Sequence, residues 1–436
     1  MLNRLKSLKN NQEFMKYFTN TSWLFFDKIF KMGVGFFLII YLTRYLGPEK
    51  FGILSYSQSF VSIFMAFASL GISQVLIRDL VKYKDKKYKL LGSAFFLTFT
   101  VSTLSILMIF LFEVLSTDQT ITKNIILILS FTIIFQNFNM LIDSYFQHKV
   151  LSKKIVYVNS ISFIVSSSIK FYLIYIKAKL IYFGWALLFD MILLSILFLY
   201  IYSKENESIK LWKVDFKIVR KYLKVAMPLT MVAVSAFIYT RIDQIMIKYM
   251  LDNEAVGNYA AAIRVSELFY FIPGIIVTSL FPKLVEVRKE NKERYLKLLE
   301  KTYRLVVWIA IPIALFLFSF SDFIVSILYG DKFIQASEIL KILSFSIIFA
   351  AVSAVFVKML YIEHWEKKYM YKSIFGVIVN IILNYILISL YGANGAAIAT
   401  LITIFSINYI YDLFDVELRE YYLIKLKAFN LYKGFR

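Results

Sequence analysis

Cysteine is absent from the 436 residues. Its absence excludes disulfides, thiolate nucleophiles and cysteine-based metal sites. Histidine is nearly absent: His148 and His364 both fall in stretches that read as basic loops, so no histidine metal site is expected. No G-x-x-x-x-G-K-[ST] phosphate loop occurs, which removes ATP hydrolysis by that route, and no H-E-x-x-H occurs. A TVGYG-type ion filter is missing. Between the apolar segments no stretch is long enough for a soluble catalytic domain, and none offers the acid/base set of a membrane glycosyltransferase. Negative charge is also short, with 29 acidic against 50 basic residues and a net charge of +21.

What is abundant is apolar surface. The chain is 59% hydrophobic and 18% aromatic, with a mean hydropathy of +0.67. Soluble domains are roughly 45–50% apolar. Stretches long enough to cross a bilayer recur along the whole length. They number twelve, at about 17–43, 53–77, 90–115, 121–147, 155–176, 180–202, 224–249, 258–281, 303–320, 336–360, 371–391 and 393–415. The first is too long for the h-region of a secretory signal and reads as a span.

Lysine and arginine concentrate in alternate loops. Of the 50, 36 lie in residues 1–16, 78–91, 148–154, 203–224, 282–305, 361–372 and 416–436, and only 7 lie in the intervening loops. Positive loops stay in the cytoplasm. The split therefore predicts a multi-pass protein of the cytoplasmic (inner) membrane with both termini cytoplasmic. The net charge reads as topology, and no nucleic-acid partner is expected. Anionic lipids of the inner leaflet are expected partners of residues 282–305. That segment reads either as an amphipathic helix lying on the leaflet or as a helical extension of its neighbouring span.

A weak internal repeat supports two halves. Tyr45-Leu-Gly-Pro-Glu-Lys-Phe-Gly52 follows span 1, and Met250-Leu-Asp-Asn-Glu-Ala-Val-Gly257 follows span 7. At an offset of 205 residues, Leu46, Glu49 and Gly52 coincide with Leu251, Glu254 and Gly257. Six spans per half gives both halves the same orientation, as in transporters built from parallel repeats. The division is 1–202 for the first six-helix bundle, 203–223 for a linker, 224–415 for the second bundle and 416–436 for a cytoplasmic tail.

Charges inside the spans are the candidates for function, because each costs roughly 2.5–3.5 kcal/mol at the helix centre. In span 1, Asn20, Trp23, Asp27 and Lys31 share one helical face, and Asp27 lies ~15 Å in. Asp27 and Lys31, at i and i+4, can neutralise each other, while Lys28 faces about 100° away. In span 7, Arg241, Gln244 and Lys248 share a face and Asp243 points elsewhere. Arg241 is the first choice for contact with an anionic group, since a guanidinium grips phosphate through two parallel hydrogen bonds. Span 8 pairs Arg264 with Glu267 at i, i+3, followed by Pro273-Gly274 as a hinge or kink. Asn380 and Asn384 of span 11 are accounted for by hydrogen bonds between helices.

These residues carry a resemblance. Arg44-Tyr-Leu-Gly-Pro-Glu-Lys-Phe-Gly-Ile-Leu-Ser-Tyr56 and Leu70-Gly-Ile-Ser-Gln-Val-Leu-Ile-Arg-Asp79 resemble the start of the polysaccharide repeat-unit flippases, the Wzx/RfbX-like O-antigen translocases. Tyr239-Thr-Arg-Ile-Asp-Gln-Ile-Met246, Val256-Gly-Asn-Tyr-Ala-Ala-Ala-Ile-Arg264, Tyr329-Gly-Asp-Lys-Phe333 and Tyr391-Gly-Ala-Asn-Gly-Ala-Ala-Ile-Ala-Thr400 fit the same pattern. The resemblance implies the multidrug/oligosaccharidyl-lipid/polysaccharide exporter fold: all-α, with two six-helix bundles forming a V around a central cavity that alternates its access. It implies a transporter, not an enzyme, which flips undecaprenyl-diphosphate-linked oligosaccharide to the outer face for O-antigen or lipopolysaccharide assembly. A polysaccharide polymerase is then an expected partner and a monomer the expected state. Arg241, Lys31, Lys28, Arg264, Asn20 and Gln244 are the candidate cavity residues. Asp27, Asp243 and Glu267 are candidates for salt bridges or for binding H⁺ or Na⁺ as coupling ion; no other cofactor and no metal site is expected. The competing readings are a lipid-linked peptidoglycan-precursor flippase and a drug/cation antiporter of the same superfamily. The basic lean of the in-span charges argues against the antiporter.

Overall fold

The computed structural model describes residues 12–430, with side chains from Phe30 onward except at Pro228, Leu229 and Glu366. The side chains of Asn20, Trp23, Asp27 and Lys28 therefore lie outside the described residues. All regular structure among the described residues is helical.

The elements follow the apolar stretches. Helix α1 (Gln12–Ser69) turns at Gly47, whose φ of 71° is open to glycine and whose neighbour Pro48 disfavours a helical residue before it. After Leu70 and Gly71, both at positive φ, come α2 (Ile72–Lys82) and α3 (Lys87–Leu115). Then follow α4 (Thr120–Ser130), α5 (Thr132–His148), α6 (Ser152–Tyr175) and α7 (Leu180–Lys204). The second half runs through α8 (Phe216–Met250), α9 (Asn253–Phe269), α10 (Phe271–Glu290) and α11 (Lys292–Tyr329). It ends with α12 (Ile334–Ser344), α13 (Ser346–Glu363), α14 (Glu366–Phe405), a π-helical turn (Ser406–Ile410), α15 (Tyr411–Phe414) and α16 (Arg419–Lys427).

Ten described segments are long and apolar enough to cross a membrane. Two are of double length, Phe30–Lys82 and Lys367–Phe414, and each is interrupted by a glycine, Gly47 or Gly392. Ten segments so divided carry the twelve expected spans. The two halves also share a pattern of breaks: the second and fourth spans of each are interrupted, at Leu70–Gly71 and Phe131 in the first half and at Tyr270 and Phe345 in the second. Tyr270 sits three residues before Pro273, which has no N–H to give the Phe269 carbonyl.

The basic segment at 282–305 is the helical extension. It forms the end of α10 and the start of α11, joined at Asn291, which accepts a hydrogen bond from Arg294 N at 3.0 Å as a cap. Its apolar residues Leu284, Val287, Tyr295 and Leu299 are buried against protein. At 38 residues, α11 is ~57 Å long, well beyond the ~30 Å hydrocarbon layer.

The chain forms two compact units. Unit 1 comprises Met1–Tyr45 and Phe60–Val234; unit 2 comprises Leu46–Ser59 and Ser235–Arg436. Unit 1 is built around Leu76, Leu141, Tyr145, Phe198, Tyr202 and Tyr222. Residues 203–224 pack into it: Trp212 Nε1 donates to Tyr202 Oη at 3.0 Å, and Asp215 N donates to Ser93 Oγ at 2.9 Å. Within unit 2, the two repeat motifs lie against each other at Gly52 and Gly257. A Cβ on Gly52 would stand 1.7 Å from the Asn253 carbonyl oxygen, and one on Gly257 would stand 1.9 Å from that of Pro48. Small residues permit such backbone contact between membrane helices. Outside, Phe110, Leu111, Leu115, Tyr385, Leu390 and Phe414 are among many large apolar side chains left exposed. So much apolar surface suits hydrocarbon and would be an aggregation liability in water.

Candidate functional site

The polar centre of unit 2 is Asp243. It lies on α8 seven residues before Met250, ~10 Å along the axis from that end. Its side chain points away from Arg241 and Lys248 into the packing with α9 and α14, and the residue is 1% exposed. Asn384 Nδ2 donates to Asp243 Oδ1 at 2.6 Å. Tyr259 Oη and Thr400 Oγ1 meet Oδ2 at 2.6 and 2.7 Å. Behind them, Asn384 Nδ2 also reaches Asn380 Oδ1 at 3.0 Å, and Asn380 Nδ2 reaches Thr403 Oγ1 at 3.4 Å. Among the described residues, no lysine or arginine forms an ion pair with Asp243.

Two further features belong to this cluster. Asn384 Oδ1 is buried with no hydrogen-bond partner. Beside the carboxylate is a cavity of about 40 Å³, lined by Asp243, Glu267, Asn380, Thr400 and Thr403 together with Tyr239, Thr240, Ile263, Tyr270 and Ile404. That is enough to admit a water-sized occupant, which needs about 10–15 Å³ of such space. Hydrogen bonds to a charged group contribute about 1.5–3 kcal/mol each. Three give ~5–9 kcal/mol, the same size as the several kcal/mol that burying an ion costs in a folded protein.

The other sequence candidates in unit 2 lie nearby in the chain but are separately engaged. Arg241 Nη1 is 3.6 Å from Glu267 Oε1, and each side chain is about a third exposed (32% and 33%). Glu267 therefore pairs with Arg241 of α8 across helices, in place of the expected i, i+3 partner Arg264. Arg264 instead turns to Gln58 Oε1, at 3.4 Å, and stacks over the Phe51 ring at 5.2 Å. Gln244 is buried and accepts from Ser59 Oγ at 2.8 Å. Lys248 lies 6.0 Å from the centres of both the Tyr56 and Tyr249 rings, whose hydroxyls meet at 2.9 Å.

Unit 1 holds Lys31, within electrostatic reach of Asp143 on α5. Asp143 also accepts from Gln147 Nε2 at 2.7 Å. Lys170 of α6 pairs with Asp190 of α7 and donates to Ser166 Oγ at 3.0 Å. Sequence reasoning missed Tyr259 and Thr400 altogether. It read Asn380 and Asn384 as plain interhelical contacts. Their i, i+4 spacing was the one available signal, since it puts two amides on a single face of α14.

Unit 2 also contains a second buried charge cluster, near its C-terminal end. Lys372 Nζ lies 2.6 Å from Asp412 Oδ1, and Lys425 Nζ lies 2.6 Å from Asp412 Oδ2. Lys425 Nζ also donates to the Asn408 carbonyl in the π-helical turn at 3.0 Å. Both ammonium groups sit over the ring of Phe356. This cluster pins α16 to α14 and α15.

Comparison with known proteins gives the family and the fold. A family model described as "polysaccharide biosynthesis protein" matches residues 41–338. A probable low-salt glycan biosynthesis flippase of Haloferax volcanii is 25% identical over 88% of this chain and 80% of that protein. A capsular polysaccharide biosynthesis protein of Staphylococcus aureus is 24% identical over 88% of this chain and 96% of its own length. Among solved structures, a lipid II flippase in an inward closed conformation superposes with a TM-score of 0.73 at 20% identity, covering 94% of this chain and 90% of that one. An inward-facing multidrug resistance MATE transporter of the MOP superfamily gives a TM-score of 0.77 at 13% identity, covering 92% and 96%. At these identities the structural likeness establishes a shared fold.

Proposed function

The chain belongs to the polysaccharide biosynthesis protein family and is a multi-pass membrane flippase, not an enzyme; on that premise we propose that its cargo is an undecaprenyl-diphosphate-linked oligosaccharide, carried by alternating access from the inner to the outer face of the cytoplasmic membrane. The alternate-loop charge bias supports this orientation, with both termini cytoplasmic. The diphosphate-sugar head cannot enter hydrocarbon unaided, because unpaired charge there is prohibitive. Fixed cations and hydrogen-bonding groups replace its water. Arg241 suits that role in unit 2. Its contact with Glu267 is long at 3.6 Å and a third of its side chain is open, leaving guanidinium donors for phosphate oxygens. Lys31 and Arg264 are the further cationic candidates.

Transport against a gradient needs a coupled ion, and the Asp243 cluster carries that part of the reading. A carboxylate with three hydrogen bonds and, among the described residues, no cationic partner, beside an oxygen-lined space of about 40 Å³, favours a proton or a small monovalent cation such as Na⁺. Hard cations take carboxylate, amide and hydroxyl oxygens of the kind gathered here.

Chromosomal deletion complemented with wild-type or Asp243→Asn protein tests the assignment. Deletion is expected to accumulate lipid-linked repeat units on the cytoplasmic face, wild-type protein to clear them, and the variant to leave them. Normal surface polysaccharide in the deletion strain removes the flippase cargo proposed here. Full clearance by Asp243→Asn removes the coupling site alone.

A further inference from the structure

In unit 2, guanidinium groups outnumber the carboxylate beside them. Helices α8 and α9 are joined by Leu251 and Asp252, so depth is counted along both from the same side. Arg241 lies ~14 Å along α8 from Met250, and Arg264 and Glu267 lie ~17 and ~21 Å along α9 from Asn253. All three stand well inside a ~30 Å hydrocarbon layer, where fixed charge is costly. Arg241 Nη1 is 3.6 Å from Glu267 Oε1. Among the described residues Arg241 makes no other ion pair and no hydrogen bond. Arg264 has no carboxylate within ion-pair distance among them. Its contacts are the neutral Gln58 oxygen at 3.4 Å and the face of Phe51. It lies within electrostatic reach of both Glu267 and Arg241.

The contact between Arg241 and Glu267 is not built to hold. A well-made arginine–carboxylate pair is bidentate, with short nitrogen–oxygen distances. The same unit contains one: Arg288 Nε and Nη2 meet the two oxygens of Glu363 at 2.8 and 3.0 Å. Arg241 and Glu267 share a single long approach, and both side chains are partly open. Loose, partly exposed pairs of this kind contribute little to stability. Glu267 therefore offsets the charge of the two arginines without occupying their hydrogen-bond donors.

We infer that Glu267 is the release residue of the anion site: a built-in carboxylate that exchanges with the cargo's diphosphate on Arg241 and Arg264. The inference rests on the diphosphate cargo proposed above. A diphosphate esterified at both ends carries one negative charge on each phosphate. Empty, the site holds two guanidiniums and one carboxylate, an excess of one positive charge. Loaded, it has an excess of one negative charge. The two states are then of similar electrostatic cost, and Glu267 repels the cargo while it is bound and returns to Arg241 when it leaves. With a neutral residue at 267 the empty site would carry two positive charges and the loaded site none. The cargo would then be held more tightly and released more slowly.

Binding and export are measured separately. Purified protein in sodium-free buffer at fixed pH is titrated with citronellyl-diphospho-N-acetylglucosamine and, as control, with the uncharged citronellyl glycoside of the same sugar. Wild-type protein is expected to bind the first and not the second. Failure to do so removes the diphosphate cargo itself, and this inference with it. Given wild-type binding, Glu267→Gln is expected to bind the diphosphate probe about tenfold more tightly, the size of effect that one nearby unit charge supports. In the complemented deletion strain the same variant is expected to export less polysaccharide than wild type at equal protein level. Unchanged or weaker binding by Glu267→Gln overturns the inference and leaves the cargo standing, since a carboxylate that only orients Arg241 or only holds an ion gives that result. Tighter binding with undiminished export overturns the release role. Glu267→Ala removes the same charge, is expected to shift affinity in the same direction, and decides the matter if Glu267→Gln fails to fold.

Discussion

Gly52 and Gly257 meet reciprocally. Gly52 abuts the carbonyl of Asn253, and Gly257 abuts that of Pro48. Asn253 is the 205-residue counterpart of Pro48, as Gly257 is of Gly52, so each motif offers its glycine to the same position of the other. The sequence repeat thus marks a pseudo-twofold helix crossing inside unit 2.

Adding a Cβ at this crossing is expected to be severe. The obstacle on each side is backbone, which cannot swing aside. Gly52→Ala and Gly257→Ala should each lose at least about 1–3 kcal/mol, the usual penalty of overpacking. Gly274→Ala, with nothing within 4 Å of its Cβ, should be near neutral. Thermal midpoints of the three variants in detergent check this, and equal midpoints would contradict the crossing.

At Asp243, shape and charge can be separated. Asp243→Asn keeps an acceptor for Tyr259 and Thr400 and removes the negative charge. It is expected to fold and to lose any midpoint shift on titration with Na⁺ or on lowering pH. Asp243→Leu leaves Tyr259, Thr400 and Asn384 without their acceptor and is expected to lose about 1–3 kcal/mol for each donor left unsatisfied. An Asn variant that keeps the wild-type ion response argues against coupling there.

Arg241→Ala and Lys31→Ala are each expected to abolish surface polysaccharide at normal protein level. For Arg241 the double variant Arg241→Ala/Glu267→Ala is decisive. If the arginine served only to neutralise Glu267, removing both charges would restore export; if it grips the cargo, export stays absent. Immunoblots of membrane fractions alongside polysaccharide gels give the answer.

The cluster at Lys372, Asp412 and Lys425 predicts an unequal series. Asp412→Asn strands two buried ammonium groups and is expected to lose about 3–5 kcal/mol, as broken buried ion pairs do. Lys372→Met leaves a one-to-one pair with Lys425 and should be much milder. Similar midpoints for the two variants would show that the cluster is not an ion pair held under burial.

The docking of α16 also carries a pH dependence. Burial pushes the Lys425 ammonium below the ordinary lysine range, only partly opposed by Asp412. The folded chain thus binds fewer protons here than the unfolded chain, so stability rises with pH through the window below ~10.4, the unfolded value. Hydrogen exchange of residues 419–427 should slow, after correction for intrinsic rates, as pH is raised from 7 to 9, and Lys425→Met should flatten the trend.

Helix identity was legible because spans of this length and apolarity have few alternatives, and the turn at Gly47 because Pro48 announces it. The kink near Pro273 was legible for the same reason, although the break falls at Tyr270, where the missing N–H is felt. The interruptions at Phe131 and Phe345 carry no glycine or proline and gave no sign. The site divides similarly. Arg241, Asp243 and Glu267 stood out as charge in apolar surroundings. Tyr259 and Thr400 are residue types common anywhere, and 16 and 157 residues separate them from the carboxylate they hold. The Arg264–Glu267 pair fitted helical spacing, but Gln58, 206 residues away, offered Arg264 a partner that spacing cannot reveal.

The interleaving of the units has a consequence for biosynthesis. Residues 46–59 emerge early, yet the surface they dock on is made 205 residues later at Asn253 and Gly257. At ~5–20 residues per second that is a wait of about 10–40 s. During it the segment sits in the insertion machinery with its crossing face open. Chains that stop short of residue 257 are therefore expected to be cleared by membrane proteases and not to accumulate as half-length proteins.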